Sequence, residues 1–424
     1  MKNWSVKVIA VMLFALPVLF SACIKDSCEK ERTYTFYVPV YKTKAQVREN
    51  IKSNAPRTIE HPGKISIKGS TIFLNEIDRG IHIIDNSNPS SPKNIAFIDI
   101  PGNMDIAVKG NILYADFFRD LVAIDITNPT QVTPKKFVDD VFPYRSYGNG
   151  FVQVSNDQII TDWVKHDTTV VQSCERLRNI FDTRNGGAFF LASSSSAASS
   201  SSPTSASPIG VGGSMARFTI INNHLYTVSH SDLNVFDITT AADPIKGSKT
   251  NIGWNIETIY PFENKLFIGS QTGMFIYDVS NPTSPVAAGQ FSHARSCDPV
   301  IADNDYAYVT LRSGTACQGF TNQLDIVKLN NPGTPVLKKS YPLTNPHGLS
   351  KDGNLLFICD GTAGLKIYEA SDVLNLQLIK SFDMDAYDVI AYNKIALVVG
   401  KGGLFQYDYS NAADAKLLSK ISVK

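Results

Sequence analysis

The chain has 424 residues, and its 40 Lys and Arg residues nearly balance 39 Asp and Glu residues, which leaves a net charge of +1 at pH 7. This balance excludes the strong basic field of a typical nucleic-acid-binding protein, so no nucleic-acid partner is expected. A hydrophobic fraction of 43%, with 10% aromatic residues, is sufficient for a buried core.

Residues 1–22 have the pattern of a signal peptide. Lysines precede an apolar run from Val8 to Phe20, which is short for a membrane span, and two small residues follow it. The next residue, Cys23, completes a pattern that resembles a bacterial lipobox, with Phe20 in place of the usual leucine. The resemblance implies export and acylation of Cys23 with chains such as palmitate. Because Ile24 rather than aspartate follows, it implies the outer membrane, on its periplasmic or its outer side.

Residues 23–59 are predicted to form a tether between this anchor and the rest of the chain. Within them, Thr33–Tyr41 alternates with period two, as a half-buried strand does. Two interpretations remain open. The stretch either adds a closing strand to the domain that follows, or it is an ordered tether lying across that domain.

Residues 60–424 repeat one pattern. In its clearest copy, Ile112–Asp125 contains two apolar runs, and an Asn-Pro turn at residues 128–129 follows. The residue that ends the second run lies at positions 85, 125, 237, 278, 329, 369 and 408, so the interval is 39–41 residues in four cases, 51 in one and 112 in one. The longest interval holds an insertion and a divergent copy that begins at Phe151. This makes eight copies, with seven as the alternative if the divergent copy is degenerate.

Each copy predicts four antiparallel strands. Triplets such as Lys109–Asn111 supply residues that tolerate positive φ where strands reverse, and the prolines of the Asn-Pro turns break the ladder. The acidic residue that ends the third strand is interpreted as an acceptor for the turn after it, not as a catalytic group. Four strands in each repeat predict an all-β fold, a β-propeller of about eight blades that is expected to be a monomeric ring.

The third-strand sequences resemble the LVIVD repeat. They include Gly80–Asp85, Leu121–Asp125 and Met274–Asp278. The resemblance covers roughly residues 60–424 and implies a β-propeller of the kind found in bacterial surface and secreted proteins. It implies no activity, cofactor or ligand.

Residues 191–213 are almost entirely Ser, Ala, Gly and Pro. Such a tract cannot bury enough apolar surface to order itself, so it is predicted to be a flexible insertion. It is either a tolerated surface loop or a lid beside the mouth of the ring.

One face of the ring is expected to carry the ligand site. Loops that enter the innermost strand of each blade share a face with loops between the second and third strands, because successive strands reverse direction. A polar ligand is expected there, near the central channel. The candidate ligand residues in the entry loops are His61, Asp105, Arg217, Glu257, Asp298, His347 and Asp388.

Cys297 and Cys317 predict a disulfide within one blade. Cys297 enters the innermost strand of the copy with the 51-residue interval, and Cys317 lies in its long second-to-third loop, so both are expected on one face. Export permits their oxidation.

Familiar catalytic motifs are absent from the sequence. It has no Gly-x-Ser-x-Gly, phosphate-binding loop or His-Glu-x-x-His motif, and its seven histidines lack metal-ligand spacing. No catalytic residue, metal or cofactor is therefore predicted. The leading hypothesis is an envelope-anchored propeller that binds or scaffolds a protein or glycan partner without catalysis. The alternatives are an extracellular glycan or peptide hydrolase or lyase with acidic residues at the channel mouth, and a structural subunit of an envelope assembly.

Overall fold

The computed structural model describes residues 29–143, 157–173, 210–293, 296, 299–314, 321–329 and 333–423. The chain divides into two units, residues 1–40 with 162–188 and residues 41–161 with 189–424. The first described elements are strand β1 (Glu29–Thr43), helix α1 (Lys44–Glu49) and strand β2 (Ser53–Asn54). A capping box between Thr43 and Gln46 starts α1. Among the described residues, no helix has the length and apolar character needed to cross a membrane.

The larger unit contains seven antiparallel sheets within the described residues, and each has four strands in chain order from the innermost to the outermost; the first sheet has one more short strand at each edge. Blades 1 and 2 comprise β3–β6 and β7–β10, which are Pro62–Lys68, Thr71–Glu76, Gly80–Asp85, Lys93–Asp99; Ile106–Lys109, Ile112–Phe117, Asp120–Asp125, Thr133–Val138. Two strands follow before blade 3, β11 (Gln158–Ser173) and β12 (Val211–Gly212).

Blades 3 to 7 follow the same plan. Their strands β13–β32 are Phe218–Ile221, His224–Val228, Asp232–Asp237, Ile245–Asn251; Ile256–Phe262, Lys265–Ser270, Gly273–Asp278, Val286–Ser292; Val300–Ala302, Tyr306–Leu311, Gln323–Lys328, Val336–Pro342; Leu349–Asp352, Leu355–Cys359, Leu365–Glu369, Gln377–Phe382; Ala386–Tyr392, Ile395–Gly400, Gly403–Asp408, Lys416–Ser422. A short 3₁₀ helix, Ala412–Asp414, precedes the last strand.

Packing between blades explains the apolar runs of the repeat. The innermost strands contact one another from blade to blade, and β3 also contacts blade 7, so the ring is closed. Middle strands such as β9 are buried on both faces, because each blade lies between two neighbours, whereas outermost strands such as β20 are mostly exposed. A strand buried on both faces is a continuous apolar run and does not alternate.

The acidic residue after the third strand is a turn acceptor, as predicted. Oδ1 of Asp125 accepts a hydrogen bond from the backbone N–H of Thr127 at 2.9 Å. Bonds from Thr127, and then from Lys135, lower the pKa of Asp125 to about 2. The same bond to the residue two positions later is made by Asp85, Asp237, Asp278 and Asp408.

The ring has seven blades, the alternative count, and the expected eight is corrected. Residues 151–156, where the divergent copy begins, lie outside the described residues. The strand that follows them, β11, pairs with β1 in a separate two-stranded sheet. Its side chains from Val164 to Val171 are exposed. This stretch alternates like a strand but lacks the two apolar runs that a blade buries, so it does not supply a blade core.

The ring closes without a strand from Thr33–Tyr41. That stretch lies in β1, whose partner is β11, and blade 7 takes all four of its strands from the end of the chain. A parallel bridge joins Ile59 to Val423, and β2 pairs with the outermost strand of blade 1. Between blades 1 and 7, the side-chain amides of Asn86 and Gln406 donate a hydrogen bond to each other, at 2.9 and 2.7 Å.

We expect the amide pair to hold the closing seam. Gln406→Ala leaves the buried Asn86 amide without its partner, which should lower the free energy of unfolding by about 1–3 kcal/mol. The double variant Asn86→Ala/Gln406→Ala should lose less than the sum of the two single variants, measured by urea unfolding. Gln377→Ala, an exposed glutamine, is the control and should change stability by less than about 0.5 kcal/mol. Strict additivity of the single variants would contradict this coupling.

Candidate functional site

Residues Gly210–Arg217, which we call the channel segment, lie inside the ring. Within it, β12 pairs with β3, the innermost strand of blade 1. Further hydrogen bonds join the segment to the innermost strands of blades 2, 4 and 6: Gly210 N to Val108 O (2.7 Å), Ile259 N to Ala216 O (2.6 Å) and Leu349 N to Ser214 Oγ (2.6 Å). A segment bonded to the innermost strands of four blades must occupy the central channel.

Glycine in the channel segment permits a close approach to Asp388. A Cβ atom at Gly213 would lie 2.4 Å from Oδ2 of Asp388, and one at Gly348 would lie 2.2 Å from Oδ1. A larger residue at either position would therefore have to displace the Asp388 carboxyl. The end of the predicted flexible tract, residues 210–213, is thus packed, whereas the tract up to residue 209 lies outside the described residues.

Lys64 and Asp105 form a buried ion pair at the channel. Their Nζ and Oδ2 atoms are 2.8 Å apart, and the side chains are 4% and 2% exposed. Asp105 also accepts hydrogen bonds from the backbone N–H groups of Ile106 and Arg217. Burial lowers the pKa of Lys64, and the charge of Asp105 opposes that shift. The pair therefore neutralises its own charges while it joins blade 1, blade 2 and the channel segment.

Asp388 is the most isolated buried carboxyl among the described residues. Its side chain is fully enclosed, and neither carboxyl oxygen has a hydrogen bond of normal geometry. Burial raises the pKa of Asp388 well above its ordinary value, and the backbone N–H groups of Val389 and Ser214 and the charge of Lys64 only partly oppose this. The carboxyl therefore favours its protonated form in the folded protein.

His347 and Arg312 form a second enclosed pair, from blades 6 and 5. Arg312 Nη1 lies 3.0 Å from His347 Nδ1. Burial and the neighbouring arginine lower the pKa of His347 to about 3, so the ring is neutral and accepts a hydrogen bond from the guanidinium. Burial also lowers the pKa of Arg312, which Glu257 partly opposes.

The other predicted site residues divide into two groups. His61 is exposed and its backbone N–H donates to Glu76, while Glu257 is half-buried and accepts a hydrogen bond from Gln271 at 3.0 Å. Asp298, Cys23 and the predicted disulfide partners Cys297 and Cys317 lie outside the described residues. Within the residues that the structure describes, no group of three or more His, Cys, Asp or Glu side chains could hold a metal ion.

An open cavity lies in blade 1, on the face that the sequence assigns to ligands. Its volume is about 250 Å³, and we call it the blade-1 cavity. The side chains that line it are Arg57, Thr58, Glu60, Glu76, Arg79, His82 and Phe97. The entry segment, the end of β4, the β4–β5 loop and the two outer strands supply them.

Two half-exposed arginines flank the blade-1 cavity. Arg57 lies over the ring of Phe97, 4.5 Å from its centroid, and is 2.9 Å from Oδ2 of Asp99. Arg79 Nη1 is 2.6 Å from Oε2 of Glu60. Both guanidinium groups are thus beside the cavity and in contact with solvent.

The base of the blade-1 cavity is a buried dyad of Glu76 and His82. His82 Nε2 lies 2.9 Å from Glu76 Oε2, and its Nδ1 lies 3.1 Å from Asn94 Nδ2, so Nε2 donates to the carboxylate while Nδ1 accepts from the amide. Burial opposes ionisation of Glu76, but bonds from His82 and the backbone N–H groups of His61 and Glu60 lower its pKa overall. The dyad is internally satisfied and fixes the entry loop.

Sequence reasoning missed the residues of this cavity. His82 is the third residue of Gly80–Asp85, within a run interpreted as core, and Arg57 lies in the predicted tether. The available signal was that the third position of this strand varies between copies and is Val122 in blade 2. A histidine at a fully buried repeat position requires polar partners.

Asp388→Asn is expected to change how stability depends on pH. The pKa of the Asp388 carboxyl is higher in the folded than in the unfolded state, so its contribution is complete below pH about 4 and is lost as pH rises through the folded pKa. Asparagine cannot ionise, so the variant should gain about 1–3 kcal/mol over the parent at pH 8 relative to pH 4, measured by chemical unfolding. Asp383→Asn, at an exposed site, should show no such gain. Parallel pH profiles for Asp388→Asn and the parent would contradict the assignment.

Comparison with known proteins supports the repeat and the fold. The LVIVD repeat model matches residues 63–97, 102–140, 262–292 and 294–342, which lie in blades 1, 2, 4 and 5. The search of curated proteins found no match.

Solved structures are similar in fold at low identity. A protein from Lactobacillus plantarum is 11% identical with a TM-score of 0.52, covering 85% of this chain and 97% of that chain. The computationally designed protein Ika8 is 7% identical with a TM-score of 0.51, covering 88% and 91%. BamB from Moraxella catarrhalis is 10% identical with a TM-score of 0.44, covering 86% and 95%. The chain is therefore a seven-bladed β-propeller that contains LVIVD repeats.

Proposed function

We propose that this protein is an outer-membrane lipoprotein whose propeller binds a protein or glycan partner without catalysis. The observation that carries the proposal is the occupied channel. The channel segment contacts the innermost strands of four blades and encloses the polar groups expected at the mouth. A partner is therefore expected on the outer part of the ligand face, at the blade-1 cavity.

Enclosure of the channel acids favours binding over catalysis. A catalytic acid or base must come within hydrogen-bond distance of its substrate. Asp105 is neutralised by Lys64, and Asp388 lies behind Gly213, and both side chains are buried. Asp105 and Asp388 are two of the four acidic candidates at the channel mouth; Glu257 is half-buried, and Asp298 lies outside the described residues.

The blade-1 cavity suits a partner that carries an acidic group. The ion pair of Arg79 with Glu60 is exposed and therefore weak, and Arg57 is half-exposed beside the more buried Asp99, so both guanidinium groups can reach another carboxylate. A planar guanidinium binds carboxylate or sulfate through paired N–H donors. Phe97 is 1% exposed and lies under Arg57, so it supports that guanidinium and offers a partner no surface of its own. An acidic sugar or an acidic peptide side chain presents the carboxylate that these guanidinium groups bind.

Charge reversal at the cavity tests the binding site. Arg79→Glu should reduce capture of the partner at least about tenfold, because it replaces a donor for an acidic group with a like charge. The measurement is pull-down from detergent-solubilised envelope together with an array of acidic and neutral glycans, using the full-length protein. Lys338→Glu, the same charge change on the outermost strand of blade 5, is the control and should change capture less than about twofold.

Two results would contradict this site. Equal capture by Arg79→Glu and the parent would place the partner elsewhere. A blank glycan array and an empty pull-down would remove the binding proposal itself.

The proposed anchor has its own test. Cys23→Ser removes the thiol that would be acylated, so we expect the variant to incorporate no labelled palmitate. Cys28→Ser, five residues further along the chain, is the matched control and should keep the label. Palmitate labelling of the Cys23→Ser protein would contradict the anchor.

A further inference from the structure

Strands β1 and β11 form a two-stranded ribbon. Most of the ribbon belongs to the smaller unit, and one end of each strand extends a few residues beyond that unit. Thr33 Oγ1 lies 3.0 Å from Thr169 Oγ1, and the rings of Phe36 and His166 stack with centroids 5.5 Å apart. From the first of these contacts to the second, the residue number rises in β1 and falls in β11, so the strands are antiparallel.

One face of the ribbon is apolar and open. Because side chains alternate between faces, the even-numbered residues 34–38 share a face with the even-numbered residues 164–170. Five large apolar side chains lie on it, with exposed fractions of 44% (Tyr34), 47% (Phe36), 41% (Val38), 46% (Val164) and 38% (Val170). The remaining two residues within these ranges are His166 and Thr168, and the first charged residue beyond Val164 on this face of β11 is Asp162.

The opposite face of the ribbon carries its charged pair. Thr35 donates a hydrogen bond to Asp167, and Lys165 forms an ion pair with the same carboxylate at 2.9 Å. Tyr37 and Val171 are also exposed on that face, so the two faces differ in charge more than in apolar content. A two-stranded ribbon with an exposed apolar face is marginally stable alone, and such a face marks a site of interaction.

The position of the ribbon in the chain identifies what covers the apolar face. Five residues separate Cys23 from the start of β1 at Glu29, so the ribbon begins within about 20 Å of that thiol even if the chain is fully extended. An acylated Cys23 would thus hold the ribbon at the membrane surface. Tyrosine and phenylalanine are suited to the headgroup region, where water still satisfies the unpaired edges of two strands.

We propose that the apolar face of the ribbon lies on the phospholipid surface and forms a second membrane contact beside the lipid anchor. The proposal rests on the proposed acylation of Cys23 for its location, but the contact itself needs no acyl chain. The two can therefore be tested separately.

The test uses the mature chain from residue 23 with Cys23→Ser, which keeps every described residue and has no acyl group. Its co-flotation with vesicles of phosphatidylethanolamine and phosphatidylglycerol is measured. We expect Tyr34→Ser/Phe36→Ser to lower the bound fraction at least about tenfold, because two aromatic side chains no longer leave water. Tyr37→Ser, an exposed aromatic on the opposite, charged face, should change binding less than about twofold. Phe36→Leu should retain binding, and circular dichroism checks that each variant keeps its sheet content.

Absence of co-flotation, or equal loss in Tyr37→Ser and Tyr34→Ser/Phe36→Ser, would overturn the proposal. So would a dimer in solution that Phe36→Ser converts to a monomer, because a second copy would then cover the apolar face. Palmitate labelling of Cys23 without vesicle binding by the acyl-free chain would leave the anchor standing and remove the ribbon contact. Vesicle binding without labelling would do the reverse.

Discussion

Each blade of this propeller can bury its two faces only against its two neighbours. The constraint explains why the middle strands of the repeat are unbroken apolar runs, and why the acidic residues that end them serve turns at the surface. It also makes the seam between blades 7 and 1 necessary, since an open ring would leave two apolar faces in water. Each blade takes its four core strands from one continuous stretch of the repeat region, so blades 7 and 1 exchange no core strand. The Asn86–Gln406 amide pair and the Ile59–Val423 bridge hold the seam instead.

Closure creates a central channel, and the channel segment occupies it. The backbone of this segment forms hydrogen bonds with N–H and C=O groups of the innermost strands that would otherwise need water. Its glycine at position 213 allows it to pass close to Asp388. Polar groups at the channel are consequently enclosed: Lys64 pairs with Asp105, and Asp388 is buried with no hydrogen bond of normal geometry to its carboxyl oxygens. The accessible cavity of blade 1 lies away from the axis, with two arginines in contact with solvent. The interior therefore supports the ring, and recognition is proposed at its outer part.

The repeat, the strand order and the turn role of residues such as Asp125 were predictable, because they follow from short-range pattern and turn chemistry. The blade count was not, since alternation in residues 158–173 is equally typical of a blade strand and of a strand whose partner lies over a hundred residues away. Composition also could not separate a flexible Gly-Ser tract from residues 210–213, where the same small side chains permit close packing. The blade-1 cavity was missed because His82 is hidden in an apolar run and its partner Asn94 comes from another strand.

Hydrogen exchange measures whether the channel segment fills the ring. We expect the backbone amides of Gly210 and Arg217 to exchange as slowly as those of the innermost strands, because they donate to Val108 and Asp105 inside the ring. Exchange of these amides at the rate of an unstructured chain would contradict it. The channel would then be open, and the buried acids at its mouth would again be available to a ligand.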